Sequence, residues 1–416
     1  MTNLLKTALH DKHVALEATM ADIAGWEMPL AYRGVLEEVA QVRSHAGVFD
    51  MSHLARFRIR GDGGLAMLER LCTHDVAHQE DDTAVATLML NDQGGIVTDG
   101  VLVRLEDQWL LVCPPINRAK VLEYLQGWAD QHDAKLDDQT GKSAVISLAG
   151  PAAAAVLDKV LPERVSTLGA NSARGGSLML AKYVVMRTNW TGLWGIDVIM
   201  PNLFAGKAWR FITEKAGEGA IAPAGLAALD VLRMEAGLAA YGHELNETID
   251  PVAAGLMDRV SFDHDFIGAQ SLAVANQRTP DRIRCGLVLE KIGTLPEKIG
   301  TLPIFRPAGQ DSSVLGAFGA ASDSTVTGSD AENGKCPYFL PRQGSGVYRA
   351  DGSECGTVTS SAFSPALDKA IAQAYLAADV IAPGTTVLVE TQGGRQAAKP
   401  FRISEFGFRN GQGQQG

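Results

Sequence analysis

Asn91-Asp92-Gln93-Gly94-Gly95-Ile96-Val97-Thr98-Asp99-Gly100-Val101 sets a polar turn with paired glycines directly before an apolar, β-branched run. Flanked by Ala86–Leu90 on one side and Val101–Leu105 on the other, this reads as two strands joined by a tight turn. Consecutive strands joined this way argue for an α+β fold and against a Rossmann repeat. Glycines in such a turn let the backbone approach a ligand closely, and the strand that follows can aim Asp99, its one carboxylate, into a cleft poor in water. An aspartate at a strand edge is also the ordinary solvated turn residue, so both roles stand at this point.

Outward from this turn, Phe57–Arg60 and Trp109–Cys113 read as further short strands, and a helix is expected from about Asn117 to His132. Residues from about Thr7 to Gly47 read as helix, turn and helix, with the break at Gly25-Trp26-Glu27-Met28-Pro29. A second unit begins near Ser143–Leu148 and continues through an alanine-rich helix, Ala152–Leu161. Strands at Leu178-Met179-Leu180, Tyr183–Met186 and Ile196–Met200 follow, then helices over Asn202–Ala216 and Gly225–Gly237. The alternation repeats that of the first unit, which points to two similar α+β halves. From Arg282 the chain is strand-rich and reads as a small β-barrel. Three domains are therefore expected, at 1–141, 142–281 and 282–416. Within the third, Glu290–Pro296 is repeated without change as Glu297–Pro303, a local duplication, since two copies cannot stack into a core. The stretch from about 308 to 346, rich in Gly, Ser, Asp and Ala, reads as a long exposed loop.

A chain of 416 residues has room for several cores, and 46% hydrophobic with 20% charged residues is a globular composition. A net charge of -11 without a basic stripe argues against nucleic acid as a partner. No run reaches the roughly 18 apolar residues of a membrane helix, and Met1–Lys6 carries no apolar leader core, so no membrane partner and a cytoplasmic location are expected. The cysteines Cys72, Cys113, Cys285, Cys336 and Cys355 are scattered and form no CxxC pair, so neither a disulfide framework nor a metal site is indicated.

Six runs, in order, resemble the aminomethyltransferase family, the T-protein of the glycine cleavage system. They are Ala24–Leu30, Gly47–His53, the Gly94-Gly95 segment leading to Asp99, Asp230–Glu244, Asp265–Gly268 and Ala362–Pro365. The resemblance implies three domains in a cloverleaf around a central folate channel. It implies transfer of an aminomethyl group from the lipoyl arm of H-protein to tetrahydrofolate, with release of ammonia and no metal. Lipoylated H-protein and the other glycine cleavage proteins are the partners it implies. The matching carboxylate, Asp99, would be catalytic, stabilising positive charge at the reacting nitrogens. Asp197, Leu229, Phe406, Met51 and Arg233 are the cofactor-binding candidates.

Departures from the family gather at ligand positions. Ala86, Thr98 and Pro114 stand where the family has a tyrosine, an aspartate and an asparagine. Asp197 replaces a glutamate that reads the pterin ring, and must reach about 1 Å further. Leu229 replaces an arginine that binds the folate's glutamate carboxylate, a forked pair that leucine cannot make. Asp258 and Phe406 replace a tryptophan and a tyrosine. Arg233 and Glu235, two apart on a helix, read as separate salt-bridge partners. Ser52-His53 reads as structural, and Trp190 and Trp194 are open between pterin stacking and core filling. Two alternatives to the family's reaction remain. One is a folate-dependent demethylase with another methyl donor, against which the retained Ser52-His53 weighs. The other is a non-catalytic scaffold of the same fold.

Overall fold

The computed structural model describes residues 4–178, 181–216, 219–290, 340–382, 384–391 and 393–403. Nearly all of the duplicated heptapeptide, most of the 308–346 stretch and Phe406 lie outside the described residues.

Strands β1 (Thr19–Ile23) and β2 (Trp26–Ala31) form an antiparallel hairpin where the sequence reads as helix, turn and helix. Only short flanking helices, His10–Ala15 and Val35–Ser44, remain of that expectation. Ala24 and Gly25, at φ 50° and 82°, make a two-residue turn whose twist suits the strands it joins. Burial alternates over Ala21, Ile23, Trp26 and Met28, a period of two, before Met28–Ala31 run buried in succession.

Next along the chain are β3 (Gly47–Asp50) and β4 (Ala55–Arg60), then β5 (Thr83–Leu90), β6 (Ile96–Leu105), β7 (Gln108–Cys113) and β8 (Lys135–Asp138). Helices Gly63–Leu71 and Arg118–His132 lie between β4 and β5 and between β7 and β8. The five-stranded sheet has the order β5-β6-β7-β4-β8. The second half repeats this succession with β9 (Ser143–Ala149), helix Ala153–Leu157, β10 (Ala173–Leu178), β11 (Ala181–Thr188), β12 (Gly195–Pro201), helix Asn202–Arg210 and β13 (Ala222–Pro223). Its sheet runs β10-β11-β12-β9-β3-β13. The two orders correspond except that β3, from the N-terminal part of the chain, is inserted between β9 and the last strand. Gly47 pairs with Ala149 on one side and with Ala222 on the other. The expected helix over Asn202–Ala216 changes character, with Phe211–Ala216 wound as a wider π-helix.

Strands β14 (Arg282–Leu289), β15 (Gly346–Tyr348), β16 (Glu354–Ser364), β17 (Lys369–Ala377), β18 (Val387–Thr391) and β19 (Gly394–Arg402) close into a barrel in the order β14-β17-β16-β15-β18-β19. Closure removes the exposed edges that an open sheet would present.

Between these units runs the helix Leu226–Glu235, all ten of whose residues are buried. Its apolar side joins a cluster with Trp26, Met28, Val39, Val42 and Met51. Its charges are paired: Arg233 Nε donates to Asp230 Oδ1 at 2.7 Å, and Nη1 donates to Glu244 Oε2 at 2.8 Å. Glu235 meets Arg43 and accepts from Ser364 Oγ at 2.6 Å. Arg233 and Glu235 thus serve separate partners, as their spacing predicts.

Arg56, on β4, ties the two halves together. Its Nε donates to Ser143 Oγ at 2.9 Å, and Nη2 reaches the carbonyls of Thr140 and Ser143 at 2.7 and 2.8 Å. Nη1 donates to the Ser52 carbonyl at 3.1 Å and also meets Leu54 O. The side chain is fully buried, so its removal strands several carbonyls without water. Arg56→Met should lower the unfolding free energy by at least about 3 kcal/mol, read as a fall in thermal midpoint; an unchanged midpoint would show that these carbonyls find other donors.

Candidate functional site

Asp99 lies on β6 opposite Leu88 of β5. In the preceding turn Asn91 Oδ1 accepts from the backbone N–H of Gly95 at 2.8 Å, and Gly94 holds φ 86°. A Cβ on Gly95 would fall 1.8 Å from the Glu247 carbonyl oxygen. The close backbone approach expected of the paired glycines is thus made to the protein's own 246–249 segment, and Ile96 N donates to Ile249 O at 2.9 Å.

The Asp99 side chain is 16% exposed. Its Oδ2 sits 3.9 Å from Arg259 Nη1, while Oδ1 is buried and has no hydrogen-bond partner among the described residues. Burial pushes the Asp99 carboxyl above its ordinary range, and the Arg259 charge opposes that rise. Thr98, its side chain buried, accepts from Asn117 Nδ2 at 3.1 Å and donates to the Asp99 carbonyl at 3.0 Å. An amide therefore lies beside this strand even though Pro114 replaces the family's asparagine. Cys113 on β7 and Tyr241, whose hydroxyl accepts from Lys120 Nζ at 3.1 Å, are close enough to feel the Asp99 charge.

Asp197, on β12, is fully buried. Trp190 Nε1 donates to its Oδ2 at 2.9 Å and Thr188 Oγ1 to its Oδ1 at 3.3 Å. Burial pushes its carboxyl up to about 6, against hydrogen bonds from Ser147, Trp190 and Thr188. Trp190 also packs on the cluster that contains Met51 and Leu229, and Val101, two residues beyond Asp99, packs on the same cluster. The structure thus gathers Met51, Leu229, the strand of Asp99 and the partner of Asp197 on one apolar body. Met51 and Leu229 are fully buried there. The Arg233 guanidinium turns to Asp230 and Glu244 instead, with Nη2 buried and unpartnered among the described residues. Trp194 stacks under Arg187, whose guanidinium carbon lies 4.4 Å from the ring centre.

Burial alone would raise the Glu244 carboxyl; Arg233 beside it, with hydroxyls of Ser360 and Thr359, holds it at about 2. Asp50 is likewise below its ordinary range despite full burial, because His13 Nε2 lies 2.9 Å from Oδ2, Thr7 Oγ1 donates at 2.7 Å and the Ser52 N–H donates to Oδ1. Ser52 Oγ accepts from Val145 N at 3.0 Å, a structural use of that hydroxyl. Sequence reasoning missed Arg259 and the Trp190–Asp197 bond. The indole pairing had a signal, because a tryptophan seven residues before an aspartate on a hairpin can fold back on it; Arg259 lies in none of the quoted runs. Among the described residues no group of three or more His, Cys, Asp or Glu side chains is placed to hold a metal ion.

The raised Asp197 carboxyl has a pH consequence. Between an ordinary 3.8 and about 6 the folded state holds a proton that the unfolded state has released, so stability falls as pH rises through that window. Against Asp197→Asn, which does not titrate, the wild type should lose about 2 kcal/mol between pH 4 and 6. Thermal midpoints of the two proteins across that range measure it, and parallel curves would contradict it.

Residues 9–264 match the family model described as GCVT N-terminal domain, and residues 333–403 match that of the glycine cleavage T-protein C-terminal barrel domain. An aminomethyltransferase of Chlorobium phaeovibrioides is 31% identical over 402 residues, 96% of this chain and 97% of that one. One from Streptomyces avermitilis is 30% identical over 409 residues, covering 97% and 96% of the two chains. The crystal structure of glycine cleavage system aminomethyltransferase T from Bartonella henselae superposes with a TM-score of 0.78 at 26% identity, over 95% of this chain and 96% of that one. With both domain models matched in chain order and relatives aligned almost end to end, the chain belongs to the glycine cleavage T-protein family and is an aminomethyltransferase.

Proposed function

We propose that this enzyme moves the one-carbon unit from the aminomethyl-lipoyl arm of H-protein to tetrahydrofolate, with release of ammonia. The observation that carries this reading is the Asp99 carboxylate, held in a largely dry site with one buried oxygen lacking a partner among the described residues. Tetrahydrofolate supplies the nitrogens that accept the one-carbon unit. The residues of this chain supply position and charge. Asp99 faces the reacting nitrogens and stabilises the positive charge that grows on them, an interaction strengthened by the burial of most of its side chain. Asp197 accepts from the pterin ring once Trp190 gives way or shares the carboxylate, and Met51 and Leu229 form an apolar wall. Arg233, with one buried N–H group unused, and Phe406 complete the proposed set. We further propose that the chain divides functionally at 1–141, 142–281 and 282–416.

With H-protein and the other glycine cleavage proteins supplied, Asp99→Asn should cut kcat by about a hundredfold or more, the scale of losing one preorganised charge partner in a dry site, with little change in thermal midpoint. Turnover that survives would remove Asp99 from the mechanism.

Two observations favour a second reading, a scaffold that keeps the fold without folate chemistry. Both Asp197 oxygens already take internal donors, and Leu229 presents no cation to a carboxylate. Calorimetric titration with tetrahydrofolate separates the two readings. The enzyme reading expects micromolar binding that Asp197→Ala abolishes; no binding at millimolar ligand would favour the scaffold.

A further inference from the structure

We propose that Arg259 is a positioning residue for the Asp99 carboxylate: its guanidinium draws Oδ2 and so fixes how the carboxylate faces the substrate nitrogen. This inference rests on the reading of Asp99 as the reacting carboxylate. Arg259 ends the short 3₁₀ turn Met257–Arg259, far along the chain from β6. Its backbone is nonetheless fixed to the strand opposite Asp99. Thr73 Oγ1 donates to the Arg259 carbonyl at 2.8 Å and accepts from Leu88 N at 3.1 Å, and Leu88 is the residue paired with Asp99 across the sheet. Ser261 N donates to Thr73 O at 2.8 Å and holds the far side of the same turn. One threonine thus sets both the guanidinium and the carboxylate against a common frame.

The separation decides the kind of influence. At 3.9 Å the contact is Coulombic and too long for a hydrogen bond, so Arg259 orients the carboxylate without saturating it. The two side chains are 22% and 16% exposed, which leaves the attraction only partly screened. The other titratable groups that face Asp99 are the Cys113 thiol on β7 and the Tyr241 hydroxyl after the central helix. Burial pushes both upward, so both are neutral at physiological pH. Arg284, on β14, stands near enough to Arg259 for the two like charges to repel.

The test uses full-length protein carrying ¹³C-labelled aspartate carboxyls, with the Asp99 signal assigned by its loss in Asp99→Asn. In Arg259→Met the Asp99 titration should move up by about one unit or more. In the reconstituted reaction the acid limb of the kcat/KM profile should move with it, an approximately tenfold loss on the acid side. Arg259→Lys keeps the charge and should restore most of both. If Arg259→Met does not fold, Arg259→Gln makes the same comparison. An inactive Asp99→Asn together with an Arg259→Met titration identical to wild type would overturn the role of Arg259 alone. Full turnover in Asp99→Asn would overturn the reading of Asp99, and the positioning role with it.

Discussion

Buried charge on the helix Leu226–Glu235 constrains how the parts of this molecule meet. A helix enclosed on all sides is ordinarily apolar throughout, and this one carries Asp230, Arg233 and Glu235. Each must be matched, because an unpaired ion in the interior is far more unfavourable than an apolar side chain of the same size. The partners come from different parts of the chain. Glu244, from the segment after the helix, accepts from Arg233 and also from Thr359 and Ser360 of the barrel, while Glu235 takes Ser364 of the barrel and Arg43 of an N-terminal helix. Ion pairs of this kind add modest net stability. Their larger effect is on alternatives: a barrel seated one residue out of place would take the hydroxyl donors from two buried carboxylates at once.

The same rule, applied locally, separates three buried carboxylates and one largely buried one into different chemical states. Glu244 and Asp50 stay ionised because Arg233 and His13 lie against them. Asp197 receives only neutral donors in direct contact and rises to about 6. Asp99 falls between, with a cation near it at a distance that leaves one oxygen unengaged. A group in that condition can respond to an arriving positive charge, whereas Glu244, already saturated, cannot.

Much of this was legible in the chain. The turn at Gly94-Gly95, the strands around it, the repetition of the first half by the second and the barrel after Arg282 follow from turn chemistry and apolar period, which are local properties. The hairpin of β1 and β2 is masked in the sequence because its break, Gly25-Trp26-Glu27-Met28-Pro29, ends with a proline that reads as a helix stop, and the alternation of Ala21, Ile23, Trp26 and Met28 is too short to oppose that signal. Asp99 itself could be singled out from its run. Its cation could not, since the approach of Arg259 depends on Thr73 bridging two segments that are distant in sequence. The indole–carboxylate bond of Trp190 and Asp197 has a local signal, but it lies in the pair and in neither residue alone.

The insertion of β3 between β9 and β13 bears on modularity. Two halves with the same succession of elements look like the products of a duplication that could be cut apart and recombined. They are not interchangeable cassettes. A polypeptide starting at β9 would expose the row of peptide groups that β3 now covers, an open edge inviting any extended segment to add to it. The strand that seals the second half is translated well before that half exists, so its pairing with β9 waits for the rest of that half to be made. Fusions or split versions of this protein should therefore be joined elsewhere, with Gly47–Asp50 carried along with the sheet it completes rather than with its neighbours in sequence.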